Sequence, residues 1–459
     1  MPHFDLAVIG SGSGNSVLTE ALSGRSVALI EESTFGGTCL NVGCIPTKML
    51  VYAADVADTI RASARYGIDA SVDQVRWHDI RNRVFGRIDP ISAGGRIYRD
   101  ESPNVTLFEA HADFDGPRSI RLSTGEEVTA DQIVVATGSR PHVPAMVADS
   151  GVPFHTSDTI MRIPFLPRRL AILGGGYVGA EFAHIFSALG VEVTLIVRGA
   201  RLLTHLDDEI SDRFTALAQD RWRVLLNTDV TAVERGADGV RVKVRDAAAV
   251  DADLLLVATG RIPNSDRMNL AAAGVEVDAD GLVQVDDYQR TTADGVWALG
   301  DVSSPYQLKH VANQDARVVA HNLAFPHELR ESNHRAVPAA VFTEPQIATV
   351  GLTEQAAHAR GVKYVSAVQH YGFTAFGWAL EDTSSVCKLL ADPVTQRLLG
   401  AHIMGPEASI LIQPLIQAIA FGQTVHDVAS GQYWIHPALT EVVENALLSL
   451  PLDRRLLPA

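Results

Sequence analysis

Two of the three cysteines in this 459-residue chain, Cys39 and Cys44, share one short glycine-rich segment, FGGTCLNVGCIPTK. Three cysteines are too few for a disulfide scaffold in a chain this long, so a close pair points to redox chemistry or to a metal. The pair lacks CxxC spacing and no second Cys or His cluster accompanies it, so no metal site is expected. In a regular helix the two α-carbons would stand about 8 Å apart, beyond disulfide reach. The segment must therefore be a distorted turn or a tightened helix start, which Gly43 permits. Pro46 suits the first turn of the next helix. Cys44 then falls near that helix's positive end, where a thiolate is stabilised, and Lys48 adds charge nearby. The third cysteine, Cys387, sits in the apolar run SSVCKLLAD and is expected to be inert core. Near the other end, GQYWIHPALTEVVENALL carries His436 and Glu441. A histidine oriented by a carboxylate is a general acid–base unit, and its apolar and aromatic frame predicts a buried or interfacial position.

These groups need a frame, and two glycine-rich segments supply one. FDLAVIGSGSGNSVLTEALSGRSVALIEE reads as strand, turn (Gly10, Gly12, Gly14), helix and second strand, ending in Glu31. Gly10 permits the tight turn, Gly12 lets the backbone approach a pyrophosphate, and Glu31, about 20 residues on, is placed to bind ribose hydroxyls. Asn15 stands at the third glycine position, which predicts looser helix–strand packing. RRLAILGGGYVGAEFAHIFSALGVEVTLIVR has the complete pattern in Gly174, Gly176 and Gly179. Its second strand ends not in an acid but in Arg198, with Arg201 close behind, and a guanidinium there would pair with the 2′-phosphate of NADPH. DQIVVATGSRPHVP and DLLLVATGRIPN echo one another as closing strands, so a duplicated unit is expected. TTADGVWALGDV ends a further strand in Gly300-Asp301, where a carboxylate could hold ribityl hydroxyls of a flavin.

The length suits roughly three domains, and 47% hydrophobic residues can fill a large core. A net charge of −16 argues against nucleic acid or an anionic membrane surface as partner. The start MPHFDLAVIG lacks a signal peptide's features, and no apolar run reaches membrane-spanning length. A soluble, cytoplasmic protein is expected.

GGTCLNVGCIPTK and HPALTE resemble the active-site signatures of the class I flavoprotein disulfide reductases, and the resemblance covers essentially the whole chain in the family's order. It implies an α/β protein with two Rossmann-like dinucleotide-binding domains, for FAD and NADPH, and a C-terminal α+β dimerisation domain. The expected division is 1–150 and 265–336 for FAD, 151–264 for NADPH and 337–459 for dimerisation. Cys44 would be the thiolate facing the flavin and Cys39 the thiol that attacks substrate. His436, oriented by Glu441 and preceding a bond to Pro437 that is cis in relatives, would be the acid–base serving the other subunit of a homodimer. Lys48 and Glu181 would form an ion pair near flavin N5, and Tyr177 would gate the nicotinamide pocket. Gly37, Thr38, Ala112, Thr137, Gly138 and Asp301 would line the FAD site, His310 would open the helix aimed at its pyrimidine, and Gly260 would lie by the nicotinamide nucleotide. Several segments, among them RVFGRIDPI (83–91) and GDVSSPYQLKHVAN, resemble the branch of the family that reduces mycothiol disulfide (mycothione). Glu20 stands where a glutathione-specific member carries a carboxylate-binding arginine, which disfavours glutathione. Thr204 stands where the mycothiol branch usually carries an arginine. The chain's final residues, LPLDRRLLPA, hold no extra reactive cysteines. Two rivals are a dehydrogenase acting on dihydrolipoamide with NAD, and a nucleotide-binding regulator without chemistry.

Overall fold

The computed structural model describes residues 1–453; residues 454–459, the end of the expected dimerisation segment, lie outside the described residues. The runs LAVI and VALI are apolar at every position, the pattern of parallel strands covered on both faces, and they are buried. Val105–Glu109, Val27–Glu31, His3–Ile9 and Glu127–Val135 lie side by side in that order, all parallel. Val296–Ala298 returns to the same sheet as a parallel neighbour of Glu127–Val135, which brings the Gly300-Asp301 turn to the strand ends where the first glycine loop sits. Ser119–Leu122 and Ala112–Gly116 extend the sheet antiparallel.

The second sheet repeats this plan. Arg223–Leu225, Glu192–Ile196, Arg169–Leu173 and Leu254–Val257 are parallel neighbours in that order, flanked by an antiparallel sheet of Val230–Gly236, Gly239–Val244 and Val250–Ala252. The two echoed ATG segments meet: Ser139–Pro141 pairs antiparallel with Arg261–Pro263. The first glycines of the two loops are also equivalent. Gly10 has φ +106° and an added Cβ would lie 2.4 Å from Ala136 O; Gly174 has φ +115° and the same atom would lie 2.1 Å from Ala258 O.

The two loops lead into different structures. After Gly176 a regular helix runs from Tyr177 to Ala188. After Gly12 the expected helix is replaced by two 3₁₀ turns, Gly14–Val17 and Glu20–Leu22. The physical reason lies at the third glycine. A Cβ on Gly179 would sit 2.3 Å from Gly174 O, so only glycine lets the helix seat on the loop. Asn15 cannot make that approach, and Gly14, one residue earlier, packs instead against side chains, its Cβ position 2.8 Å from Ala136 Cβ and 3.0 Å from Val8 Cγ1. Arg99, at the end of the helix Trp77–Asp100, then ties down the broken stretch by donating to Asn15 Oδ1 (2.7 Å) and to the Asn15 and Leu18 carbonyls.

The C-terminal sheet is antiparallel throughout, in the order Pro338–Val341, Ile347–Gly351, Leu398–Met404, Val386–Ala391, Val365–His370. Cys387 is buried in it, and burial pushes its thiol up to about 12, consistent with inert core. One apolar core joins the three parts: Leu50 and Val51 of the helix Cys44–Ala62, Phe182 and Phe186 of the second fingerprint helix, and Val341 and Met404 of the C-terminal sheet.

Candidate active site

The cysteine segment is a helix broken in two. Cys39 lies in the short helix Gly37–Asn41, and Cys44 is the first residue of the helix Cys44–Ala62. Gly43 lets the pieces close up: a Cβ there would lie 2.9 Å from Thr38 O and 3.2 Å from Cys39 Cα. The helix start carries no side-chain cap, so its free N–H groups and positive end face the Cys44 thiol. Both cysteines are free, and the thiols are close enough to hydrogen-bond. That bond settles a single negative charge on the pair. Cys39, hydrogen-bonded by Cys44 and attracted by Lys309, is held at about 7, and Cys44 is pushed well above the usual thiol range. A hydrogen bond shared by the two thiols stabilises one thiolate on the pair, beside the uncapped helix start at Cys44 and the charge of Lys309.

The expected Lys48–Glu181 ion pair is not formed at contact distance. Lys48 Nζ lies over the Phe342 ring, 2.9 Å from its centre, and the Glu181 carboxylate instead accepts from Phe342 N at 2.9 Å. Phe342 thus keeps both groups apart yet within each other's field. Burial draws Lys48 down to about 8 against the attraction of Glu181, and lifts Glu181 to about 7. Tyr177, half-buried, opens the second fingerprint helix beside them, and burial raises its phenol.

Around the first loop the structure carries features that a bound dinucleotide would complete. Thr137 Oγ1 is buried without a partner. Next to it Gly138 has φ +66° and open space where a side chain would stand, as does Gly260 at φ +114° and Gly176 in its loop. Gly12 and Gly37 touch so closely that a Cβ on Gly37 would lie 2.7 Å from Gly12 Cα, bringing both backbones and Thr38 to one cradle. Glu31 accepts from Ser11 N and Oγ (2.8 and 2.7 Å) and from Ser33 N and Oγ (both 2.9 Å), which fixes its carboxylate at the strand end. Ala112 begins its strand buried beside this end. Asp301 accepts from Ser139 Oγ at 2.7 Å. His310 is second in the helix Lys309–Ala324 and meets Pro338 O at 2.8 Å. A buried unpaired hydroxyl, an oriented acid and exposed loop backbone match the donor set a flavin dinucleotide needs.

Lys309 was not singled out by the sequence motifs. Its Nζ donates to Ser13 Oγ at 2.8 Å, joining that helix to the first loop, and its charge acts on both cysteines. The signal was available in LKHVAN, a lysine at a helix's first position. Phe342 had none, because only the fold brings it between Lys48 and Glu181.

The two arginines after the second sheet part company. Arg201 is already engaged, donating to Asp208 at 2.7 Å and Asp212 at 3.1 Å. Arg198 is exposed and forms no hydrogen bond or ion pair among the described residues. It is the uncommitted cation at this strand end, and Thr204 is exposed on the same loop.

His436 Nδ1 meets Glu441 Oε1 at 2.7 Å, and the His436–Pro437 bond is cis. The dyad has the expected geometry, but within one chain His436 is not buried: its side chain is 73% exposed, flanked by exposed Tyr433 and Ile435. Glu441 Oε2 is buried without a partner.

A two-fold Rossmann plan, a helix-end dithiol and an antiparallel C-terminal sheet define a nucleotide-dependent disulfide oxidoreductase. Residues 4–316 match the pyridine nucleotide-disulphide oxidoreductase family and residues 337–447 its dimerisation domain. The chain belongs to that family, whose members work with FAD and a pyridine nucleotide. It is 56% identical to mycothione reductase of Mycobacterium tuberculosis over 98% of this chain and the whole of that protein. It is also 35% identical to a glutathione reductase of Burkholderia cepacia, covering 95% of this chain and 97% of that one. Among solved structures it is similar to the HOCl-induced flavoprotein disulfide reductase RclA from Escherichia coli, with TM-score 0.84 and 28% identity over 97% of this chain and 99% of that chain.

Proposed function

We propose that this protein reduces mycothiol disulfide to two mycothiol molecules at the expense of NADPH, through bound FAD and the Cys39–Cys44 pair, in the cytoplasm. The observation that carries the chemistry is the dithiol itself: two cysteines brought together at an uncapped helix start, one of them held at about 7. The 56% identity to a mycothione reductase supports the substrate, and so does Glu20, an exposed acid on the second 3₁₀ turn that would repel a glutathione carboxylate. Uncommitted Arg198 supports NADPH over NADH.

The glycine loop around Gly10, Gly12 and Gly14, together with Glu31, Thr38, Thr137 and Asp301, would hold FAD. Gly174, Gly176, Gly179 and Arg198 would hold NADPH. Bound FAD supplies two-electron transfer from the nicotinamide to the enzyme disulfide. Once the dithiol is free, the Cys39 thiolate attacks one sulfur of the substrate. The substrate S–S bond breaks, a Cys39–mycothiol disulfide forms, and the departing thiolate takes a proton from His436 of the partner subunit. Cys44 then gives its proton to the now neutral imidazole of the partner's His436 and attacks Cys39 Sγ; the Cys39–mycothiol S–S bond breaks, the Cys39–Cys44 disulfide is restored, and the second mycothiol leaves as a thiolate that takes a proton from solvent. Glu441 holds the imidazole at 2.7 Å in one tautomer. Service across the subunits is supported by the exposure of His436 on an apolar rim and by the dimerisation-domain match.

The test is steady-state NADPH oxidation with mycothiol disulfide, glutathione disulfide and lipoamide side by side. Mycothiol disulfide should give the highest kcat/KM by at least about tenfold, a difference of about 1.4 kcal/mol in transition-state binding. Equal turnover of glutathione disulfide would defeat the substrate assignment.

A further inference from the structure

The loop after the strand Glu192–Ile196, residues 197–207, carries Arg198, Arg201 and Thr204, and it is held at its middle and at its end. At its middle, Leu203 sits in the left-handed region at φ +53°, a conformation that persists only where the surroundings over-determine it. Its N–H donates to Gly175 O in the second fingerprint at 2.8 Å. At the loop's end, Asp207 caps the helix Asp208–Arg221, accepting from Glu209 N at 3.2 Å.

The partners that hold Asp207 come from the C-terminal sheet. Lys388, in the strand Val386–Ala391, is 2% exposed, and Asp207 is 0% exposed. Lys388 Nζ lies 2.7 Å from Asp207, 2.7 Å from Glu354 and 3.2 Å from Glu209. Glu354 N donates to the other Asp207 oxygen at 2.9 Å, and Gln355 Nε2 donates to Leu206 O at 2.7 Å. A lysine buried this deeply is rare unless paired, because desolvation costs it heavily. Burial alone would discharge it, but Asp207, Glu354 and Glu209 more than offset this and hold it charged.

The remaining charges on this face are already assigned. Arg213 binds Glu209, and Arg201 binds Asp208 and Asp212. Lys388 covers Asp207 and Glu354, which leaves Arg198 as the cation without a carboxylate. Removing the lysine would leave the buried Asp207 carboxylate and the half-buried Glu354 carboxylate uncompensated at the end of a loop proposed to receive a phosphate dianion, and would untie the loop from its support.

We propose that Lys388, with Gln355, is a positioning element for nucleotide selection: the C-terminal domain holds the 197–207 loop in the shape in which Arg198 is free to read the 2′-phosphate. The inference rests on the assignment of NADPH to the second glycine loop. It places part of NADPH selectivity in a residue that would not touch the nucleotide.

The test is the dissociation constant of NADP⁺ and of NAD⁺ for the purified FAD-loaded enzyme, measured by calorimetry. Lys388→Met should weaken NADP⁺ about tenfold and NAD⁺ by less than about twofold, since only the 2′-phosphate depends on this loop. A merely structural role would lower Tm without splitting the two nucleotides. Gln355→Ala, which removes the tether to Leu206 but no charge, should weaken NADP⁺ about threefold, and it carries the test if Lys388→Met does not fold. Equal weakening of both nucleotides, or unchanged NADP⁺ affinity in the folded variants, overturns the proposal. Arg198→Ala separates the two levels. If it fails to weaken NADP⁺ selectively, the nucleotide assignment falls. If it succeeds where the Lys388 and Gln355 variants show no split, only the positioning role falls.

Discussion

The two glycine-loop units start from the same backbone and end differently. Gly10 and Gly174 share a positive φ and the same close approach to a carbonyl, yet one loop opens two 3₁₀ turns and the other a twelve-residue helix. The third position of the motif differs: Gly179 lies against its own loop, its Cβ position 2.3 Å from Gly174 O, whereas Asn15 is held by Arg99. The units also end on opposite charges. Glu31 is locked by two serines, whereas Arg198 is left unpaired among the described residues. Loop geometry makes each a candidate dinucleotide cradle, and in the proposed function the residue at the end of the second strand selects the nucleotide. The difference teaches that the motif's glycines and its terminal charge are separable instructions.

The strongest way to break this comparison is to give the second unit the first one's residue. Gly179→Asn puts a Cβ within 2.3 Å of Gly174 O. Overpacking of this kind should cost about 3 kcal/mol and abolish NADP⁺ binding; wild-type thermal stability and affinity would show that the third glycine is dispensable. Next in size, Arg198→Glu should raise the NADPH KM by roughly tenfold to a hundredfold, the worth of a charge-assisted hydrogen bond to phosphate, with the NADH KM little changed. Parallel movement of both constants would remove Arg198 from the site. The first unit alone carries the dithiol. A Cys39 thiol held at about 7 is ionised above that pH and protonated below it. Iodoacetamide should therefore label the reduced enzyme roughly tenfold faster at about pH 8 than at about pH 6. A half-point near the ordinary thiol value would contradict the hydrogen-bonded pair. The smallest effect belongs to Asn15→Gly. It removes one hydrogen bond from Arg99 and should destabilise by about 1 kcal/mol or less; a gain in Tm would mean that the regular helix was available all along.

Much of this was legible in the sequence because local chemistry fixed it. The glycine loops, the broken helix at Gly43 and the His436–Glu441 dyad depend on residues a few positions apart, where spacing and backbone freedom suffice. Three features were not legible, and each needs contacts distant in sequence. Lys48 and Glu181 are divided by Phe342, which arrives just past the strand Pro338–Val341 of the C-terminal sheet. Arg201 looked as available as Arg198 until the helix Asp208–Arg221 supplied its carboxylates. The apolar and aromatic frame of His436 predicted a buried or interfacial position without choosing between them, and within one chain His436, Tyr433 and Ile435 are exposed. The first unit's missing helix was foreshadowed at Asn15 as loosened packing, and the structure shows a change of helix type instead.

Cys39 as the sulfur that attacks mycothiol disulfide, and Cys44 as the one that resolves the product, are the centre of the proposed chemistry. The pair of roles is tested most directly by mass spectrometry of two reduced single variants incubated with mycothiol disulfide. Cys44→Ser should trap one mycothiol on Cys39 with release of one free mycothiol, since the resolving sulfur is gone, while Cys39→Ser should remain largely unmodified. Adduct formation on Cys44 in Cys39→Ser at the faster rate, or no adduct on either variant, would contradict it.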